Sequence, residues 1–416
     1  MKTNLWRNRG FLWLIGGQTL SEFGSAISGF TIPWLLLELT GSALQMGLAF
    51  AVGFVPYLIL SLPAGVWADR HNRKLLMMLS DTGRMILMLS IPVAHLFGWL
   101  TVAQLYIVLA LMSAFSAVFD ASYVSCLPNV VNRDELPQAN SALQSGMSAS
   151  QILGPAIAGT AIALIGAANT IFADAASFAI SILSLFAIRQ SFSAVADASI
   201  ARSGMVKQIG EGLQYVWANK LIRTISMFTL AGNLGGSASG AIILYRLHHD
   251  LHANAYWSGV VMSGTSVGVL LGSLLSGVVG RRLKPGTIMM VSLLMFAIPD
   301  FVTAFTRLPL VMCAANVLLG LSMVLWNVQS VSLRQSVIPD HILGRASSSI
   351  RMIVWGSIPL GNAAGGVFAQ WFGAPMVFVT AGLTHAVVWL TGLRTPLYKW
   401  GQDNGITRSA SENVSG

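Results

Sequence analysis

Charge is what this sequence has least of. Only 9% of its 416 residues are Asp, Glu, Lys or Arg, against about 25% in ordinary globular domains. A soluble surface cannot be built from so few charges. Hydrophobic residues make up 54% and the mean hydropathy is +0.69, so lipid is the solvent for most of the chain. Disorder, coiled coil and collagen are excluded by the same composition. Cysteine is nearly absent: Cys126 and Cys313 alone cannot form a disulfide scaffold or a Cys-rich metal site. No G-x-x-x-x-G-K-[ST] occurs, which excludes an ATP-binding cassette within the chain. The net charge of +9 would favour nucleic acid in a soluble protein. Here it is read as cationic loops beside a membrane, with no nucleic-acid partner.

A spanning helix needs about 20 mostly apolar residues. Twelve such stretches occur, at 11–37, 44–68, 75–97, 101–126, 139–165, 169–188, 222–246, 256–279, 287–306, 309–333, 344–371 and 375–394. The start, MKTNLWRNRGFLWLIGG, resembles a signal peptide, but no A-x-A site follows and Glu22 interrupts the apolar run, so it is read as a retained first span. Twenty of the 24 Lys and Arg residues fall in alternate gaps and at the two ends; only Arg246 and Arg307 fall in the other gaps. By the positive-inside rule both termini are cytoplasmic, which requires an even number of spans. The expected fold is therefore all-α and membrane-embedded, with twelve helices in two halves. A six-helix half over 1–188 is followed by a cytoplasmic linker at 189–221, a second half over 222–396 and a polar tail at 397–416.

The halves echo one another. GVWADR at 65–70 parallels GVVGRR at 277–282, an offset of 212. Leu136, Ala139, Leu153, Gly154, Gly159 and Gly166 meet Leu343, Ala346, Leu360, Gly361, Gly366 and Gly373 at a constant offset of 207. With 41 glycines single coincidences mean little, but a run at fixed offset means more. Parallel six-helix repeats point to a secondary transporter that rocks about a central site.

Between spans two and three stand Gly65, Asp69, Arg70, Arg73 and Lys74, spaced G-x-x-x-D-R-x-x-R-K. Gly65 would let helices approach closely, Asp69 would cap the positive N-terminus of a neighbouring helix, and Arg73 and Lys74 would anchor the cytoplasmic surface. A generic charged loop is the plainer alternative. The spacing resembles motif A of the major facilitator superfamily, with Asn72 in place of the usual glycine. That resemblance implies a charge cluster of Asp69, Arg73 and an acid of span four, here Asp120, which latches the outward-facing state. In span five, Gly146, Gly154, Pro155 and Gly159 resemble a shortened form of the superfamily's antiporter motif, found in exporters; ordinary glycine packing is the alternative. Pro155 removes one helix hydrogen bond and the glycines thin one face.

Three further stretches, Leu39 to Ala43, Asp174 to Phe178 and Glu211 to Val216, join Leu136, Ala139 and Asn140 in resembling one branch. It is the drug:proton antiporter branch that contains macrolide efflux proteins and the enterobactin exporter. Many relatives place an acid one residue after the Ser-x-x-Gly glycine of span one; here Glu22 stands three residues earlier, on another helical face.

Charges inside a membrane are costly and are read first as functional. Glu22, near the middle of span one, is the leading candidate to carry a proton or contact substrate. Asp174 is expected nearer the outer end of span six, and Arg246 ends span seven, where it could snorkel to the surface. Asp81 and Arg84, three apart, are read as a local ion pair, and Arg351 lies one or two turns inside span eleven. His248, His249, Asp250 and His252 fall in a short outer loop with no second cluster to complete a metal site, so no metal is expected. Trp34, Trp326 and Trp355 either line a cavity or face lipid. A membrane enzyme would need a convergent nucleophile and base, and none is apparent. The expected function is proton-driven export of an amphiphilic small molecule of drug, macrolide or siderophore type, by alternating access. It would need no cofactor beyond the proton gradient. The setting would be a bacterial cytoplasmic membrane, with lipid and substrate as partners and the chain acting as a monomer. An importer or symporter of the same fold is the alternative, followed by a channel or a transport-dead sensor.

Overall fold

The computed structural model describes residues 5–188 and 205–399. The expected polar tail beyond 399, the first part of the linker and the first four residues lie outside that range. All twelve expected spans are helices: α1 (Arg9–Thr40), α2 (Ala43–Arg70), α3 (Arg73–Leu96), α4 (Val102–Val130), α5 (Leu136–Ile165) and α6 (Ala167–Ala187) in the first half. After α7 (Met205–Ala218) come α8 (Lys220–Tyr245), α9 (Ala255–Arg282), α10 (Pro285–Phe305), α11 (Pro309–Val337), α12 (Asp340–Phe372) and α13 (Ala374–Gly392).

Local sequence explains where these helices start. Asn8, Ser42, Asn72, Thr101 and Asn254 each accept a hydrogen bond from the backbone N–H three residues on, as N-caps do. Gly166 joins α5 to α6 and Gly373 joins α12 to α13, each as a one-residue turn with φ of 81° and 82° and ψ of 160° and 156°. A side chain would be strained at that φ, so glycine recurs at both copies of the repeat. Large side chains such as Leu164, Leu183, Phe305 and Leu360 are exposed on the outside, a surface that only lipid can solvate.

The neighbours repeat as well. In the first half α1 packs on α5 and α6, α3 on α4 and α6, and α2 on α4. In the second half α8 packs on α12 and α13, α10 on α11 and α13, and α9 on α11. The halves meet mainly through α5 with α9 and α2 with α12. A Cβ on Gly159 would run into the Ala255 carbonyl, and one on Gly259 into the Pro155 carbonyl. A Cβ on Gly47 would stand 2.7 Å from Gly366 Cα. All four glycines lie toward the end of the bundle away from the two chain termini, so the halves are drawn together there.

Two expectations need correction. The stretch 189–221 is more than a connecting gap, because it contains α7. Val216 is buried, the Tyr215 hydroxyl donates to the Val337 carbonyl at 3.2 Å, and Arg345 pairs with Glu211 at 2.5 Å. A short amphipathic helix has too few apolar residues to register as a span, so composition alone reads it as loop. Leu397, expected to begin the polar tail, is buried in the second-half core.

Candidate translocation site

The site grows out of the contact between α1 and α6. Gly17 and Gly24 leave room on α1 for Ser184 and Ser177 of α6. That close fit carries Asp174 inward, because a Cβ on Gly24 would lie 2.6 Å from Asp174 Oδ1. The sequence reading put Asp174 near the outer end of its span. In the structure it is level with the middle of α1, since α1 has 32 residues and α6 only 21. Asp174 is fully buried. Its Oδ1 accepts a 3.2 Å hydrogen bond from Ser177, and the Ser28 hydroxyl of α1 faces the same carboxylate.

Asp174 borders a cavity of about 500 Å³. Ser25, Ser28, Ser113 and Ser116 supply hydroxyls, and Asn362 reaches in from α12 of the second half. Phe50, Phe54, Met88 and Met112 supply the apolar wall. Such a mixture takes up a carbon skeleton and fixes its polar end. Trp34, Trp326 and Trp355 are not part of this lining. Trp34 is buried at the far end, where it donates to Glu38 at 2.6 Å and meets the His248 ring edge-on. Trp326 is in the second-half core, and Trp355 stacks beneath the Arg351 guanidinium at 5.5 Å.

Glu22 is half-buried and makes no hydrogen bond or salt bridge among the described residues. It does not border the cavity but feels the charges of Asp120 and Arg84. Asp81 and Arg84 form the expected pair, with a wider reach than expected. The Ser181 hydroxyl donates to Asp81 at 2.6 Å, and Gln18 donates to Ser181 at 3.1 Å. The Arg84 guanidinium lies between the rings of Phe119 and Phe178, at 4.2 and 4.7 Å from their centroids. Four helices, α1, α3, α4 and α6, are thus pinned by one buried polar network.

The loop cluster is not assembled as the resemblance implies. Arg73 pairs with Asp69 at 3.3 Å, and Asp69 is 71% exposed. Asp120 instead accepts a 3.1 Å hydrogen bond from the Tyr57 hydroxyl. Ten residues before the end of α4, it sits about 15 Å up the helix axis from the loop. Lys74 donates to the carbonyl of Ile188 at 2.6 Å and so closes the C-terminus of α6. Arg70 is exposed, and nothing lies within 4 Å of a Cβ on Gly65, so the expected close approach is not made here. The span-five glycines divide their work. Gly146 and Gly154 face Thr19 and Ala26 of α1, whereas Gly159 faces the second half.

Arg246 does not snorkel. It is 5% exposed, within a π-helical turn, and donates to the carbonyls of Thr303 and Ala304 at 2.7 Å while pairing with Asp250 at 3.3 Å. These bonds fasten the C-terminal end of α10. His249 stacks on Tyr245 and contacts Asp250, and no group of three metal-ligating side chains forms among the described residues. Sequence reading missed one pair altogether, Asp300 with His385, buried in the second half. The available signal was that each is alone in its apolar run.

Comparison with known proteins agrees with this fold. The sequence profile of the family described as transmembrane secretion effector matches residues 5–414. The multidrug efflux pump Tap of Mycolicibacterium fortuitum is 27% identical, over 90% of this chain and 92% of that protein. Macrolide efflux protein A of Streptococcus pyogenes is 26% identical, over 92% of this chain and 94% of its own length. The crystal structure of the nucleoside transporter NupG superposes with a TM-score of 0.74 at 13% identity, covering 94% of this chain and 99% of that one. A bacterial homologue of the iron transporter ferroportin in an inward-facing state gives 0.71 at 18% identity, covering 94% and 99%. At these identities the solved structures speak to the fold alone.

Proposed function

This chain belongs to the transmembrane secretion effector family of major facilitator transporters, and on that premise we propose that it exports an amphiphilic small molecule in exchange for protons. It is a multi-pass membrane transporter and not an enzyme. The bacterial cytoplasmic membrane is its proposed site, with both termini inside. The concentration of Lys and Arg in alternate gaps supports that orientation.

The observation that carries the proposal is the buried Asp174 carboxylate, faced among the described residues only by the serine hydroxyls Ser28 and Ser177 and by no adjacent cation, at the edge of a cavity of about 500 Å³. Phe50, Phe54 and the two methionines would hold a carbon skeleton away from water. The carboxylate would bind either a proton or the polar end of the substrate. Charge inside a membrane is too costly to leave uncompensated, so the two occupancies alternate. Proton entry then displaces substrate. Each proton moving down 100 mV supplies about 2.3 kcal/mol electrically. Glu22, on α1 beside Asp120, is the second candidate for this role.

Glycine contacts close the end away from the termini, while at the other end Gly65 touches no neighbouring helix and Asp69, paired among the described residues only with nearby Arg73, is 71% exposed. With the proposed orientation this is an inward-facing state. Rocking the halves apart at the glycine contacts would bring the motif of Gly65, Asp69 and Arg73 into play on the cytoplasmic side. The names of the efflux-pump relatives support export over import.

The test uses inverted membrane vesicles from a host stripped of its own pumps, with ethidium and a macrolide as probes. Acidifying the lumen should drive accumulation, and a protonophore should abolish it. Accumulation only in right-side-out vesicles would make the protein an importer. Asp174→Asn should lose uphill accumulation but keep downhill exchange. If Glu22→Gln alone shows that pattern, Glu22 is the carrier; if both variants pump normally, coupling through these carboxylates is wrong.

A further inference from the structure

The second half buries an ionisable pair that substrate binding does not use. Asp300 is the one ionisable side chain of α10, and His385 the one of α13. Both are buried, 6% and 3% exposed. His385 Nδ1 stands 2.9 Å from Asp300 Oδ2, and its Nε2 stands 3.3 Å from the carbonyl oxygen of Gly232 in α8. The Phe296 ring stacks on the imidazole at 5.5 Å and fixes its plane.

With Asp300 ionised, both partners of the ring are acceptors. A neutral imidazole has one N–H and can satisfy only one of them, whereas imidazolium satisfies both. The geometry is therefore that of a site loaded with one proton, held as imidazolium beside a carboxylate or, moved across the 2.9 Å contact, as a carboxylic acid donating to a neutral ring that still donates to the carbonyl. On losing the Nε2 proton the ring keeps its bond to Asp300, but a nitrogen lone pair then faces the Gly232 oxygen lone pairs. The contact between α8 and α13 turns from attractive to repulsive.

Few other charges bear on the pair. From α8, the stretch between Arg223 and Tyr245 has no ionisable side chain and offers only the Gly232 carbonyl and Ser239. Arg246, next along toward the end of α10, is held by Thr303, Ala304 and Asp250. From α11, Arg334 bonds the Ser330 carbonyl and Cys313 the Val260 carbonyl; from α12, Arg351 lies over Trp355 and Arg345 pairs with Glu211. A cavity of about 390 Å³ lies against the same stretches of α8 and α13, between Ala231, Gly235, Ala381 and Thr384.

The repeat sharpens the contrast. The matching helices of the first half, α1, α3 and α6, are joined by Gln18, Asp81, Arg84 and Ser181. There the cation is an arginine, which stays charged throughout. In the second half it is a histidine, whose ring can hold or release a proton.

We propose that Asp300 and His385 form a proton-binding site whose unloading frees α8 from α13 during the transport cycle. This rests on the reading of the protein as an ion-driven transporter. Protein in lipid nanodiscs, with no substrate, would be followed by hydrogen–deuterium exchange across α8 and α13 at about pH 6 and about pH 8. After correction for intrinsic exchange, wild type should lose at least about tenfold protection around Gly232 at the higher pH, one decade per 1.4 kcal/mol of opening. His385→Gln, neutral at every pH, should lose that dependence, and so should the doubly neutral His385→Gln with Asp300→Asn. The second variant guards against misfolding from a single unpaired group. Glu22→Gln and Asp174→Asn should keep it. A wild-type pH response in His385→Gln overturns the site. Proton-driven ethidium accumulation by His385→Gln at the wild-type level overturns its part in the cycle. If wild type moves no dye but still shows the pH response, the transport reading fails and the proton site stands.

Discussion

Adding a single methyl group where the halves touch should change which state the transporter prefers. In Gly47→Ala the new Cβ would lie 2.7 Å from Gly366 Cα and 2.8 Å from Gly366 N. Carbon atoms pack at about 3.5–4.0 Å, so α2 and α12 must part by about 1 Å. Overpacking of this kind costs about 1–3 kcal/mol. The cost falls only on the state in which these helices touch. The balance therefore moves toward the opposite state by about 5- to 150-fold, at 1.4 kcal/mol per factor of ten. Spin labels at His71 and Lys284, in the loops after α2 and α9, report the gap at the other end of the bundle. Electron–electron resonance distances should shorten in Gly47→Ala. Gly65→Ala is the counterpart, because nothing stands within 4 Å of its Cβ in this state. It should leave this state untouched and penalise the other, lengthening the mean distance. An unchanged distribution in Gly47→Ala, with the protein intact, refutes the view that these glycines set the closed end.

Asp81→Asn should destabilise the protein by about 3–5 kcal/mol, because it leaves the Arg84 cation buried without its partner. Adding Arg84→Met should restore part of that loss, as thermal unfolding in detergent would record. Arg246→Gln removes charge-assisted bonds to two carbonyls of α10 and should lower stability by about 1.5–3 kcal/mol, with dye exchange per folded molecule retained. Glu211→Gln breaks a partly exposed pair and should cost less than about 1 kcal/mol. Gly212→Leu, whose side chain would meet the Arg345 carbonyl, should lift α7 and speed proteolysis of the linker. Cysteines at Asn72, Met205 and Gln402 should react only with reagents on the cytoplasmic side; outward labelling at any of them refutes the topology.

The spans were legible because a bilayer imposes a length and a polarity on every helix crossing it, and each apolar run here meets both. The repeat was legible at Gly166 and Gly373, where one backbone angle forces one residue type twice. What escaped reading depends on which helix lies beside which. Asp300 and His385 are 85 residues apart and meet only because α10 packs on α13. Asp174 was visible as a lone acid, but its depth depends on how far α6 slides along α1 at Gly24. The cluster implied for Asp69, Arg73 and Asp120 failed to assemble because spacing in a sequence carries no information about which state the helices adopt. Helix α7 was hidden by its own composition: among its described side chains a buried valine, a tyrosine bond and the Glu211–Arg345 pair dock it, and they are too little to mark it.

The one-residue joints at Gly166 and Gly373 have a mechanical consequence. A longer loop would act as a slack cable between its two helices. A single residue leaves no slack, so α5 drags α6 and α12 drags α13. Since α5 and α12 are also the helices that reach across to the other half, any tilt applied there is delivered, undamped, to the helices that carry Asp174 and His385. Lengthening either joint by a few flexible residues should act like loosening a lever from its axle: the halves would still tilt, and the ionisable side chains would no longer follow.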